Sequence, residues 1–172
     1  INSLGVDTSI CSWNARALQH FCRHVRQRKV SEIWKLCKEF CIIAIEECHG
    51  CPISLRISLA RCLRTHTLYT SHVRDELTGS ILPNLGGISV LVSKTYFAPP
   101  LALVAAFSEL IPGRAVQLSV RSTEGIKKQF DCFFVHNFGL SLETTSSLIK
   151  KLDNYRICTV ERPDKFAMPI LG

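Results

Sequence analysis

Short continuous apolar runs alternate with stretches in which apolar positions recur at helical spacing, and this alternation sets the frame of the chain. Residues 10–14 predict a strand. Residues 21–40 predict a helix, with Val30, Ile33, Trp34, Cys37 and Phe40 on one face. Residues 41–46 are apolar throughout until Glu46, as in a strand covered on both sides. Helical spacing returns at 53–64 through Ile53, Ile57, Ala60 and Leu63. A short strand is expected at 66–72, and a loop at 78–87, where Pro83, Gly86 and Gly87 punctuate the chain. Residues 88–92, 115–120 and 130–136 predict three strands. A helix follows at 140–152 with Ser141 as its cap, then a strand-like run at 166–171. Early strands alternate with helices, whereas the middle strands follow one another directly. That mixture predicts one α/β layered domain, residues 1–172, with mixed and largely antiparallel sheets.

A chain of 172 residues can bury a real core, and 47% hydrophobic against 20% charged residues excludes a disordered class. No apolar run approaches the ~20 residues of a membrane span, so no membrane partner is expected. No charged-then-apolar leader is visible, and the first residue is Ile1, so the chain reads as a segment of something longer. The net charge is +7. Arg16, Arg23, Arg26, Arg28, Lys29, Lys35 and Lys38 crowd one segment, with Glu32 and Glu39 as its acids. Such a face concentrates polyanions, although a solvated helix face has the same composition. The nine cysteines are odd in number, and Cys11, Cys41 and Cys132 sit inside apolar runs. Buried free thiols in a reducing intracellular setting, nuclear or cytoplasmic, fit this better than a disulfide scaffold.

Two strand ends carry candidate chemistry. The run at 10–14 stops at Asn14, and the run at 42–47 stops at Glu47. Neighbouring strands would set an amide oxygen beside a carboxylate, a hard-oxygen pair suited to Mg²⁺ or Mn²⁺. Each residue has a plain structural alternative: Asn14 as a turn cap, Glu47 as a loop acid, His136 as a core histidine.

The ordered set of motifs resembles the endonuclease/exonuclease/phosphatase superfamily, in its abasic-endonuclease and retroelement-endonuclease branches. Ser12-Trp13-Asn14-Ala15-Arg16 is similar to the first motif, a strand ending W-N or W-N-x-R. Ile43-Ala44-Ile45-Glu46-Glu47-Cys48-His49 is similar to the apolar strand ending Q-E-T-H. Gly86-Gly87-Ile88-Ser89-Val90-Leu91-Val92-Ser93 resembles the G-G-x-x-x-L-x-S strand, and Gly113-Arg114-Ala115-Val116 the strand after it. Phe133-Phe134-Val135-His136-Asn137 resembles the strand end N-x-H. The resemblance implies a four-layer α/β sandwich and Mg²⁺-dependent phosphoester hydrolysis, here on nucleic acid. It implies Asn14 and Glu47 as metal ligands and His136 as the catalytic-site residue near the scissile phosphate. Arg16, His49, Arg74 and Asn137 become substrate-contact candidates. Glu46 and Cys48 depart from the motif's Gln and Thr; strand alternation points Glu46 away from Glu47, and a buried Glu46 would be costly. The family's G-D-x-N turn and late D-H pair have no match in these residues, so little catalysis is expected from this stretch alone.

Two other classes compete. Cys48-His49-Gly50-Cys51 is a C-x-x-C between a strand and a helix, the context of a thiol-redox motif. With Cys37 and Cys41 it could instead supply zinc ligands. A catalytically dead copy that keeps the basic surface would bind nucleic acid without cutting it.

Overall fold

The computed structural model describes residues 8–98, 103–122, 129–136, 140–160 and 165–171. In chain order the elements are β1 (Ile10–Asn14), α1 (Arg23–Glu39), β2 (Ile42–Glu46), α2 (Pro52–Ser58), β3 (His66–Ser71) and β4 (Ile88–Ser93). Then come β5 (Leu103–Ile111), β6 (Ala115–Ser122), β7 (Gln129–Val135), α3 (Leu142–Val160) and β8 (Lys165–Leu171). Single 3₁₀ turns lie at Cys62–Arg64 and Lys94–Tyr96.

The strands form two four-stranded sheets, ordered β1-β2-β4-β3 and β5-β6-β7-β8. In the first, β1 and β2 are parallel because α1 returns the chain between them, while β4 runs antiparallel to both β2 and β3. In the second, β5-β6-β7 is an antiparallel meander, and β8 joins β7 in parallel after α3.

The apolar run of β2 is buried on both faces. Ile42 and Ala44, with Ile88, Val90 and Val92 of β4, meet Val116, Leu118, Val120, Cys132 and Phe134 of the second sheet. Ile43 and Ile45 point the other way, to Leu18, Ile33, Leu55 and Leu59. On the far side Leu148 of α3 packs on Ala115 and Val135. The layers therefore run helices, sheet, sheet, helix, the sandwich that the motif order implied. Trp13 is partly buried against the α1 layer, as core rather than contact.

Three elements differ from the sequence-based expectation. The second helix is shorter than 53–64: it ends at Ser58, and Ile53 and Ile57 are exposed at 70% and 72%. Leu55, Leu59 and Cys62 are the buried positions, and the chain breaks into a turn before Cys62 can complete a helical stripe. Strand β5 was not expected at all. Its Ala105, Ala106, Ser108 and Glu109 are poor strand formers, and its place comes from antiparallel pairing with β6. Helix α3 runs on to Val160 rather than stopping at 152. Pro169, unfavourable in a central strand, lies in β8, whose one strand neighbour among the described residues is β7.

The corrected face of α2 has a direct test. Leu55→Ala is expected to cost about 2–5 kcal/mol in urea unfolding and Ile57→Ala less than about 0.5 kcal/mol. The reverse ranking would restore the stripe through Ile53 and Ile57.

Candidate active site

Register puts Asn14, Glu46, Ile88 and Ser71 in one row across the first sheet. Ile88 faces the second sheet, so Asn14 and Glu46 start on that same face. Glu46 is buried, takes a hydrogen bond from Ser12 Oγ at 2.7 Å on Oε1, and has no partner among the described residues for Oε2. Its arrangement is thus separate from that of Glu47, and it carries the desolvation cost foreseen for a buried carboxyl.

Alternation would send Glu47 toward the helices. Instead Glu47 lies just past β2 with φ +52°, a left-handed conformation that turns its side chain back to the cleft. Asn14 Nδ2 donates to Glu47 Oε1 at 3.1 Å. His136, directly after β7 in the other sheet, is buried, and its Nε2 lies 3.1 Å from the same oxygen. The amide oxygen of Asn14 accepts from Arg16 N–H at 2.9 Å, so the amide meets the carboxylate through its nitrogen. Glu47 Oε2 takes no hydrogen bond among the described residues, and the Glu47 side chain is 25% exposed.

Arg114 completes the group. Its Nη1 lies 3.4 Å from His136 Nδ1, and its carbonyl accepts from His136 N–H at 2.8 Å. A guanidinium can only donate, so Nδ1 accepts, and the ring proton sits on Nε2 facing Glu47. Burial lowers the pKa of Arg114, and the Glu47 charge opposes that shift. A Cβ on Gly86 would lie 2.6 Å from Arg114 Nη1, so the glycine makes room for the guanidinium. Gly113, at φ +69°, comes closer still: a Cβ there would meet Val73 N at 2.3 Å.

Lys29 of α1 secures the loop after β1 by donating to the carbonyls of Arg16 and of Ala17, the latter at 3.0 Å. Arg16, Ala17, Glu47 and His49 are the positive-φ non-glycine residues among those described. All four lie in the two loops that flank Asn14 and Glu47, and each such conformation costs roughly 1–3 kcal/mol. Backbone bonds from Ala17 and Leu18 to Glu47 O, and from Gln19 to Cys48 O, hold these loops together.

The remaining candidates divide. His49 is half-buried beside the group; burial lowers its pKa, Glu47 opposes this, and Lys29 and Arg114 add to it. Arg16 is exposed next to Asn14. Arg74 is exposed on its own loop, where its guanidinium donates to Gly79 O at 3.3 Å, and no contact brings it to Glu47. His72, at the end of the strand expected over 66–72, is buried just past β3. Asn137 lies outside the described residues. Sequence reasoning had Arg114 only as part of a strand motif and Lys29 only as one of many bases. The Gly-Arg step before β6 was the signal available for the first; nothing marked the second.

The donor chemistry fits Mg²⁺ or Mn²⁺. A partly exposed carboxylate with one uncommitted oxygen sits beside an amide oxygen that keeps a second lone pair, and Mg²⁺ needs few protein ligands. The cysteine alternatives fare differently. No three His, Cys, Asp or Glu side chains gather as a metal-binding group among the described residues. Eight cysteines are free thiols there. Cys48 is buried, donates to Ile45 O at 3.0 Å, and is pushed up to about 12 by burial. Cys51 is drawn down by the backbone N–H of Ser54.

Comparison with solved structures bears on the fold. The chain matches the D. rerio TDP2 structure "complexed with single strand DNA product" at TM-score 0.57 and 12% identity, over 95% of this chain and 59% of that one. The fold is therefore the one seen in these solved structures. Truncated Caenorhabditis elegans TDP2 matches at TM-score 0.58 and 14% identity, covering 95% of this chain and 60% of that one. The human Nocturnin catalytic domain "with bound sulfate anion" matches at TM-score 0.52 and 14% identity, over 86% and 58%. The chain thus spans about three-fifths of the TDP2 structures it matches. No family model and no curated protein matches the sequence.

The thiol environments set an order of reactivity. At pH 8 the raised Cys48 stays protonated, while the lowered Cys51 carries more thiolate. Iodoacetamide followed by peptide mass mapping is expected to label Cys51 well before Cys48 in the folded chain. Preferential labelling of Cys48 would bring the redox motif back.

Proposed function

We propose that this chain is a divalent-metal-dependent phosphodiester hydrolase-type domain of the endonuclease kind, and that its ligand is nucleic acid. One observation carries the reading: Asn14 of β1 and His136 after β7 both meet a single carboxylate oxygen of Glu47. Three strand ends, each with a motif of the superfamily, thereby converge on one point between two sheets. The net charge of +7 and the basic segment from Arg16 to Lys38 suit a polyanion.

In this reading Glu47 and Asn14 hold Mg²⁺, which would neutralise charge developing on a phosphoryl group. Arg114 presents a planar cation suited to phosphate oxygens. His136 keeps its proton on Nε2 and holds the Glu47 carboxylate in place. Lys29 fixes the loop that carries Arg16. Binding without cleavage, as in a catalytically dead copy, is the second reading; Glu46 and Cys48, in place of the motif's Gln and Thr, favour it, and product formation separates the two.

Anisotropy with a labelled oligonucleotide, with and without Mg²⁺, tests the site. Mg²⁺ is expected to tighten binding by the wild-type chain and to have no effect on Glu47→Gln. Arg114→Met is expected to weaken binding about tenfold at either condition, the size of one charge-assisted phosphate contact. An unchanged Mg²⁺ response in Glu47→Gln would remove the metal from this site, and robust Glu47-dependent plasmid nicking would rule out the dead-copy reading.

A further inference from the structure

The loop between β1 and α1 carries an unusual exposed ring. Phe21 is 91% exposed, yet it is held: its ring stacks on His20 with centroids 4.4 Å apart and planes 27° from parallel. His20 is fixed in turn. Its Nδ1 accepts from Cys22 N–H at 3.0 Å, and its carbonyl accepts from Arg26 Nη1 at 3.3 Å. One face of Phe21 is therefore occupied by a positioned imidazole, and the other faces water.

The surroundings are cationic. The first turn of α1 holds no acidic residue, and Arg23, Arg26 and Arg28 follow Phe21 closely. Other basic side chains of α1 are committed elsewhere: Lys29 to loop carbonyls, Lys38 over the Trp34 ring, Lys35 to Glu32. With Arg26 held on the His20 carbonyl, Arg23 and Arg28 are the exposed cations; beside an exposed aromatic face they supply the two halves of a single-strand binding surface, one for phosphates and one for a base. The spacing suits the same ligand. Gln19 is hydrogen-bonded to Cys48, the neighbour of Glu47, so Phe21 Cα lies within about 16 Å of Glu47 by chain reach.

From this arrangement we propose that His20 and Phe21 form a stacking platform for one unpaired base of a single-stranded nucleic acid whose backbone runs toward Glu47. The proposal rests on the nucleic-acid reading above and adds the strandedness of the ligand. A flat, sequence-independent contact of this kind accepts any base. A pre-stacked ring also loses little freedom on binding, which is why exposure here does not mean idleness.

The experiment uses the 172-residue chain with two labelled single strands of equal length, one bearing bases and one built of abasic sugars. Phe21→Ala is expected to weaken binding of the base-bearing strand about tenfold and to leave the abasic strand unchanged; folding is checked by circular dichroism. Phe21→Trp is expected to restore affinity, with its fluorescence quenched on binding. Equal affinity of Phe21→Ala and wild type for the base-bearing strand would overturn the platform while sparing the nucleic-acid reading. An equal loss on both strands would also overturn it, by making Phe21 a contact to backbone or a prop for the loop. Failure of the wild-type chain to bind either strand would sink both ideas, and an intact Mg²⁺ response to inorganic phosphate would then move the site to a smaller phosphoester.

Discussion

A single carboxylate oxygen, Glu47 Oε1, is where the two sheets meet chemically. It takes a hydrogen bond from Asn14 in the first sheet and faces His136 from the second. Everything else in the site serves that junction. Arg114 selects the His136 tautomer, Gly86 leaves space for Arg114, and Lys29 steadies the segment that follows Asn14. Below it the apolar faces of β2, β4, β6 and β7 set the distance between the sheets, so the hydrophobic core fixes the reach of each polar group.

The junction needs backbone that the regular strands cannot provide. A strand continuing through Glu47 would have turned its carboxylate to the helices. The left-handed step at Glu47 reverses that; similar steps at Arg16 and Ala17 shape the opposing loop, and one at His49 shapes the rest of its own. Their conformational cost is offset by hydrogen bonds from Ala17, Leu18 and Gln19 to Glu47 and Cys48. Stability and function therefore draw on the same few residues.

How much of this the sequence revealed depended on how strongly local pattern and tertiary placement agreed. The run Ile42-Ile43-Ala44-Ile45 could only be a strand covered on both sides, and so it is. Asn14, Glu47 and His136 were legible because each ends an apolar run at a motif position. Helix α2 was placed but turned the wrong way, since Leu59 and Cys62 are buried from a turn rather than from a helical stripe. Strand β5 was invisible because alanine and serine carry little strand signal, and long-range pairing decides them. Lys29 was unreadable for a different reason. Its partners are backbone carbonyls of a loop, and no spacing rule connects a helix lysine to them.

The docking of the turn before β6 carries a kinetic consequence. Gly113 donates its amide to Ser71 Oγ at 2.7 Å and lies against the backbone of His72 and Val73, leaving no gap for a side chain. That hairpin tip can be seated only after the end of β3 exists, and the end of β3 is held by β4. The cleft around Glu47 should therefore be among the last parts of the molecule to assemble, after both sheets have formed separately. Slow maturation of ligand binding, lagging behind the gain of secondary structure, would be its signature in refolding.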